Sequence, residues 1–218
     1  MRVAALYDVH GMPWALEAVL GEVEREGVDA IVFGGDLVWG PLPKETLELV
    51  RSVEATCIRG NCDREPDEWE RGLLDPGDLA WLTTRPPTEV IDDVLYCHAT
   101  PRSDEEIVTP ATPDDVLDEI LSGVPERLVV AGHTHVQHRR GRYVNAGSVG
   151  MPYEDDVAAF WAIVGEDVEF RRTPFDVERA AAEIRASGWP RAEDFVAENV
   201  LAAASRAEAI AQFESMRE

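Results

Sequence analysis

Short continuous apolar runs, each ending in a cluster of glycine and polar residues, recur along the first two thirds of the chain. Residues 2–7, Ala30–Phe33, residues 56–58, Val94–Cys97 and Leu128–Ala131 are such runs. The unbroken apolar character of Ala30–Phe33 and Leu128–Ala131 predicts strands covered on both faces. After the first run, Pro13 opens an amphipathic helix with Leu16, Val19, Leu20 and Val23 on one face, closed by Gly27. A second helix is predicted over residues 44–53. The resulting β-α-β-α-β order implies right-handed crossovers and a parallel sheet.

The middle of the chain is less regular. Residues 67–84 read as helix interrupted by Asp75-Pro76-Gly77, and residues 89–91 with Val94–Cys97 read as a hairpin with an acidic turn. A polar loop over 101–110 leads to a helix over 113–121 with an acidic first turn. Tyr143–Asn145, residues 158–164 and residues 168–170 supply closing strands, expected to be antiparallel. From Phe175 the composition turns to Ala, Glu and Arg. It predicts helices over Val177–Ala186 and 191–216, broken by Gly188-Trp189-Pro190. The expected organisation is a main domain over 1–174 with a helical extension over 175–218 packed on it.

Composition narrows the partners. The 218 residues carry a formal net charge of −23 and no basic stripe, which argues against long nucleic acids. No apolar run approaches the ~20 residues needed to span a bilayer. The N-terminus turns polar too soon for a signal peptide, so a cytoplasmic location is the expectation. Cys57, Cys62 and Cys97 are odd in number without Cys-x-x-Cys spacing, so neither a disulfide framework nor a zinc ribbon is indicated. Cys57 and Cys97 lie in strand runs and read as core. Nothing in the sequence decides whether the chain forms a homo-oligomer.

The polar clusters carry the chemistry. They are Asp8-Val9-His10, Gly34-Gly35-Asp36, Gly60-Asn61-Cys62-Asp63, Cys97-His98-Ala99-Thr100 and Gly132-His133-Thr134-His135. Each follows a strand, where open α/β sheets place their ligands. Together they offer Asp8, His10, Asp36, Asn61, His98, His133 and His135. Such a crowd of partly buried polar groups would cost on the order of several kcal/mol without a cation to organise it. Carboxylate, imidazole and amide oxygen without thiolate suit Mn²⁺, Fe, Co²⁺, Ni²⁺ or Zn²⁺ better than Ca²⁺. Two such ions ~3.5–4 Å apart would need one shared carboxylate, and a hydroxide between them would serve as nucleophile.

In order and spacing, Asp-x-His, Gly-Asp, Gly-Asn-x-Asp, a separate His and Gly-His-x-His resemble the calcineurin-like metallophosphoesterase superfamily. Gly60-Asn61-Cys62-Asp63 and Asn145-Ala146-Gly147-Ser148-Val149-Gly150 look like its small YfcE-type phosphodiesterases. The resemblance implies an α/β fold, a four-layer α-β-β-α sandwich of two mixed sheets flanked by helices. It implies two divalent transition-metal ions, manganese first. Asp8, His10, Asp36 and His135 would hold one ion, and Asp36, Asn61, His98 and His133 the other, with Asp36 as the bridge. Asp36, Asn61, Cys62 and His98 are the expected catalytic residues. The implied substrate is a small phosphate ester, a diester before a monoester. The alternatives are a protein phosphatase, a dinucleoside-polyphosphate hydrolase, or an inactive binding scaffold such as the retromer subunit that resembles this family.

Cys62 departs from the pattern, since many superfamily members carry His there. A thiol with pKa ~8.5 replaces an imidazolium poorly as a general acid. This favours esters with good leaving groups. Arg64 and Arg102, beside ligand loops, are expected either to meet phosphate or to pair with nearby Glu. Trp39 is a candidate for stacking on a base or aryl group, the 145–150 segment for structural support, and His138 for a surface strand position.

Overall fold

The computed structural model describes residues 1–217. The strand–helix alternation is β1 (Val3–Leu6), α1 (Pro13–Glu26), β2 (Ala30–Phe33), α2 (Pro43–Arg51) and β3 (Thr56–Cys57). A short helix α3 (Asn61–Arg64) follows, then α4 (Glu68–Leu73) and α5 (Pro76–Thr83). Asp67 and Asp75 cap these last two by accepting the N–H groups of Trp69 and Asp78. The hairpin of β4 (Thr88–Ile91) and β5 (Val94–Cys97) turns through Asp92 and Asp93. Their φ angles of 53° and 64° are the left-handed pair that a two-residue hairpin turn requires.

The rest comprises α6 (Asp114–Ile120), β6 (Leu128–Ala131), β7 (His138–Arg140), β8 (Tyr143–Asn145), β9 (Ala159–Val164), β10 (Val168–Thr173), α7 (Val177–Ala186), α8 (Ala192–Phe195) and α9 (Arg206–Met216). One sheet runs β10-β9-β1-β2-β3, with β1, β2 and β3 parallel. The other runs β4-β5-β6-β8-β7, with β5, β6 and β8 parallel.

The period-2 alternation of each strand builds the layers. Val3, Ala5 and Tyr7 face Val94, Tyr96, Leu128 and Val130 of the other sheet in a shared apolar layer. Ala4 and Leu6 point outward onto Leu16, Val19 and Val23 of α1. Val129 and Ala131 pack on Leu117 and Ile120 of α6. Helices therefore cover both outer faces, giving the four-layer sandwich. Ala180, Ile184, Trp189 and Phe195 belong to the same outer core as α1 and β9. Among the described residues no helix is long and apolar enough to cross a membrane.

Three expectations are corrected. Tyr143–Asn145 runs parallel to β6 and antiparallel only to β7, whereas β9 and β10 are antiparallel as expected. The helix expected over 191–216 is divided by a wide turn, Val196–Val200, and by an irregular stretch before α9. There Asp155 overrides the helical propensity of the alanines. Its N–H donates to the Ala204 carbonyl and its carboxylate accepts the Arg206 N–H. His138 is buried, at 7% exposure, with its ring tilted against Tyr143.

Candidate metal centre

The candidate ligands converge at the carboxyl ends of β1, β2, β3, β5 and β6. Backbone pairing extends past the strands to lace the loops together. The His10 N–H donates to the Asp36 carbonyl at 3.0 Å, and the Gly132 N–H donates to that of His98 at 2.8 Å. Asp8, His10, Asp36, His133 and His135 all adopt left-handed backbone, with φ between 50° and 67°. Each such residue costs on the order of 1–2 kcal/mol. Strain concentrated at one place marks a site whose geometry serves something other than stability.

Two glycines allow the carboxylates to approach their neighbours' backbone. A Cβ on Gly60 would lie 2.1 Å from Asp36 Oδ1, and one on Gly132 would lie 2.3 Å from Asp8 Oδ2. In that space Asp8 Oδ2 accepts the His133 N–H at 2.9 Å, and Asp36 Oδ1 accepts the Cys62 N–H at 2.9 Å. Each aspartate thus spends one oxygen on a neighbouring loop and keeps the other for the centre. Asp8 Oδ1 is buried without a hydrogen-bond partner and lies 3.3 Å from His135 Nε2 and 3.8 Å from His98 Nε2. Asp36 Oδ2 lies 3.4 Å from His98 Nε2.

The histidine tautomers complete the arrangement. Nδ1 of His10 faces the Trp39 carbonyl at 3.3 Å, and Nδ1 of His135 faces that of Met151 at 2.7 Å. A carbonyl only accepts, so the proton of each neutral ring sits on Nδ1. The two Nε2 lone pairs then face each other at 3.1 Å, with Asp8 beside them. Lone pairs so opposed repel unless a cation lies between them. Asp8, His10 and His135 form one triad of metal-ligand spacing, and Asp8, Asp36 and His98 form another. Asn61 joins the second through its amide oxygen, 3.1 Å from His98 Nε2. The donor set fits divalent transition-metal cations.

Asp8 is common to both triads, whereas the resemblance assigns the bridge to Asp36. The His133 ring lies outside both triads. It meets His98 edge-on at 5.3 Å, and its Nε2 faces the Glu105 carbonyl at 3.2 Å. Cys62 is half-buried beside Asn61, and burial followed by the Asp36 charge pushes its thiol well up, so it stays protonated. Burial and then His135 hold His10 down at about 4. Burial opposes charging of His98, but the Asp36 carboxylate outweighs it and raises the imidazole to about 10.

The surroundings sort the remaining candidates. Arg64 pairs with Asp104 and Glu105, and Arg102 pairs with Glu106 and Glu119, so both are held by carboxylates. Trp39 meets His10 edge-on at 5.3 Å and is itself met by Trp189 at 5.6 Å and by the Arg191 guanidinium. The 145–150 segment supports the first ligand loop, since Ser148 Oγ and the Gly150 N–H both donate to the Asp8 carbonyl. Sequence reasoning missed Tyr153, which stacks on His135 at 5.1 Å, and the structural part played by Asp63. Asp63 had one available signal, its place three residues after the loop glycine.

The chain matches the calcineurin-like phosphoesterase superfamily domain over residues 1–165. A metallophosphoesterase from Sphaerobacter thermophilus is 28% identical, with a TM-score of 0.76 over 90% of this chain and 97% of that one. YfcE, a phosphoesterase from E. coli, shares the fold at 21% identity and a TM-score of 0.53, over 81% of this chain and 100% of that one. The uncharacterized protein MJ0912 of Methanocaldococcus jannaschii is 26% identical over 84% of this chain and 91% of its own length.

Proposed function

This chain belongs to the calcineurin-like phosphoesterase superfamily, and on that premise we propose that it is a dinuclear metal-dependent phosphodiesterase acting on small phosphate esters. The observation that carries the reading is the opposed pair of Nε2 atoms of His10 and His135 at 3.1 Å, beside the unpartnered Asp8 Oδ1. Asp8, His10 and His135 would hold one cation, and Asp8, Asp36, His98 and Asn61 the other, with Asp8 shared between them. Bound there, two divalent cations supply Lewis acidity toward phosphoryl oxygens and lower the pKa of an attacking water.

The chain's own residues set the geometry. Gly34 fixes the His98 ring through its carbonyl, 2.9 Å from Nδ1. The two loop N–H groups on Asp8 and Asp36 orient the carboxylates, the outer-shell contact that conserves ligand direction. Cys62 offers only a weak S–H donor where an imidazolium would protonate a leaving alkoxide. That chemistry favours diesters with acidic leaving alcohols over alkyl monoesters. The formal charge of −23 supports a small ester rather than a polyanion.

Hydrolysis of bis(p-nitrophenyl) phosphate and p-nitrophenyl phosphate by metal-stripped protein tests the reading. Mn²⁺, Ni²⁺, Co²⁺, Zn²⁺ and Mg²⁺ are added back singly, with Asp36→Asn as control. Metal-dependent cleavage favouring the diester and lost in the control is expected. Inactivity with every metal overturns the proposal.

A further inference from the structure

A hollow of about 280 Å³ lies against His98, lined by Arg59, Arg64, Thr88, Thr100 and Arg102 among others. Three guanidinium groups on one concavity stand out in a chain of net charge −23. Two of them are already neutralised, Arg64 by Asp104 and Glu105, and Arg102 by Glu106 and Glu119. Arg59 differs. Among the described residues no carboxylate lies within ion-pairing distance of it, and its Nε is buried without a hydrogen-bond partner.

The Arg59 side chain is nevertheless held in place. Its Nη1 donates to the Thr83 carbonyl at 3.0 Å, at the carboxyl end of α5, and the Arg59 backbone N–H donates to the Pro86 carbonyl at 3.0 Å. Neither anchor is a carboxylate, so the charge is oriented and no ion pair neutralises it among the described residues. A guanidinium fork in that condition suits a carboxylate or phosphate, whose oxygens match its donors. Arg59 directly precedes Gly60-Asn61, so the cation is tied to the strand end that presents a candidate ligand.

We infer that this hollow is a subsite for a second anionic group on the substrate, recognised by Arg59. The inference rests on the phosphodiesterase reading of the adjoining centre and names the substrate class, phosphate diesters with one arm ending in a carboxylate or phosphate. Arg64, Arg102 and Asp104 also line the hollow, but Arg64 and Arg102 are already paired with carboxylates, so the recognition falls to Arg59. Arg59 is a specificity-determining residue, set apart from the candidate metal ligands.

The test uses three esters with one chromogenic leaving group: ethyl, carboxymethyl and phosphoethyl p-nitrophenyl phosphate. With the Mn²⁺-loaded protein, kcat/KM for at least one anionic ester should exceed that for the ethyl ester by roughly tenfold or more. In Arg59→Gln that ratio should collapse toward one. The carboxymethyl and phosphoethyl arms identify which anion is preferred. A ratio near one in the native protein, or an unchanged ratio in the variant, overturns the inference. If Arg59→Gln fails to fold, Arg59→Lys keeps the charge without the fork and should lower the ratio about threefold or more. No change there also overturns it.

Thermal shift separates this inference from the reading it rests on. Phosphonoacetate should raise Tm more than ethylphosphonate does, and Arg59→Gln should remove the difference. Absence of hydrolysis of all three esters refutes the phosphodiesterase reading, and the thermal shift then decides the subsite alone. Equal shifts by the two phosphonates would refute the subsite.

Discussion

The carboxylate of Asp63 holds the backbone of Asp36: its Oδ2 accepts the Asp36 N–H at 2.7 Å. The same oxygen accepts the Gly60 N–H, and Oδ1 accepts the Leu37 N–H, both at 3.0 Å. One buried side chain thus ties the loop after β2 to the loop after β3, fixing Asp36 and Asn61 relative to each other.

Asp63→Asn keeps the shape but offers one acceptor oxygen to three N–H groups. Outer-shell losses of this kind cost roughly 10–100-fold in metal affinity. We expect Mn²⁺ affinity to fall by that order in a calorimetric titration. Native affinity in the variant would show that Asp63 does not set the ligand geometry.

The tail reaches the site through aromatic contacts. Trp189 is 5% exposed and meets Trp39, which meets His10. Truncating a buried tryptophan costs about 3–5 kcal/mol. Trp189→Ala is expected to lower Tm by roughly 6–20 °C for a domain of this size. A shift below a degree would mean that the extension contributes little to the core.

Cys62 gives a prediction of gained function. Cys62→His introduces a general acid beside the candidate ligands, an effect typically worth about 10²–10⁴-fold where leaving-group protonation limits the rate. Turnover of alkyl phosphate esters should rise, while p-nitrophenyl esters change less. Parallel changes for both leaving groups would remove this role.

His138 gives a pH signature outside the centre. Burial holds its pKa at about 4, below the ordinary 6.5, and its Nε2 has no hydrogen-bond partner. The unfolded chain therefore takes up the proton first. The stability that the neutral ring contributes is present above pH 6.5 and is lost as the pH falls toward 4, on the order of 3 kcal/mol. In His138→Phe, chemical unfolding between pH 7 and 4 should show a correspondingly smaller loss. An identical acid profile would contradict the assignment.

The ligand loops were legible because each is written locally, as an apolar strand followed by glycine and a metal-ligand residue type. Asp8, His10, Asp36, His98 and His135 all arrive at one place for that reason. Partners fixed by distant backbone were not legible. Asp63 acts on N–H groups carried by every residue, and Arg59 is distinguished only by its place on the hollow beside His98, where it has no carboxylate partner. The broken helix after residue 191 has the same origin, since Asp155 clamps it from a separate loop. His138 alternates with Arg139 as an exposed edge strand would, and only the packing of Tyr143 against it shows the buried face.

The central claim is that the strand-end cluster is a pair of cation sites sharing an aspartate. Counting Mn²⁺ bound per chain, by elemental analysis after saturation and desalting, tests it most directly. The account predicts two ions per native chain and loss of both in Asp8→Asn, because Asp8 belongs to both triads. A native chain that retains no ion, or a full complement in the variant, would contradict it.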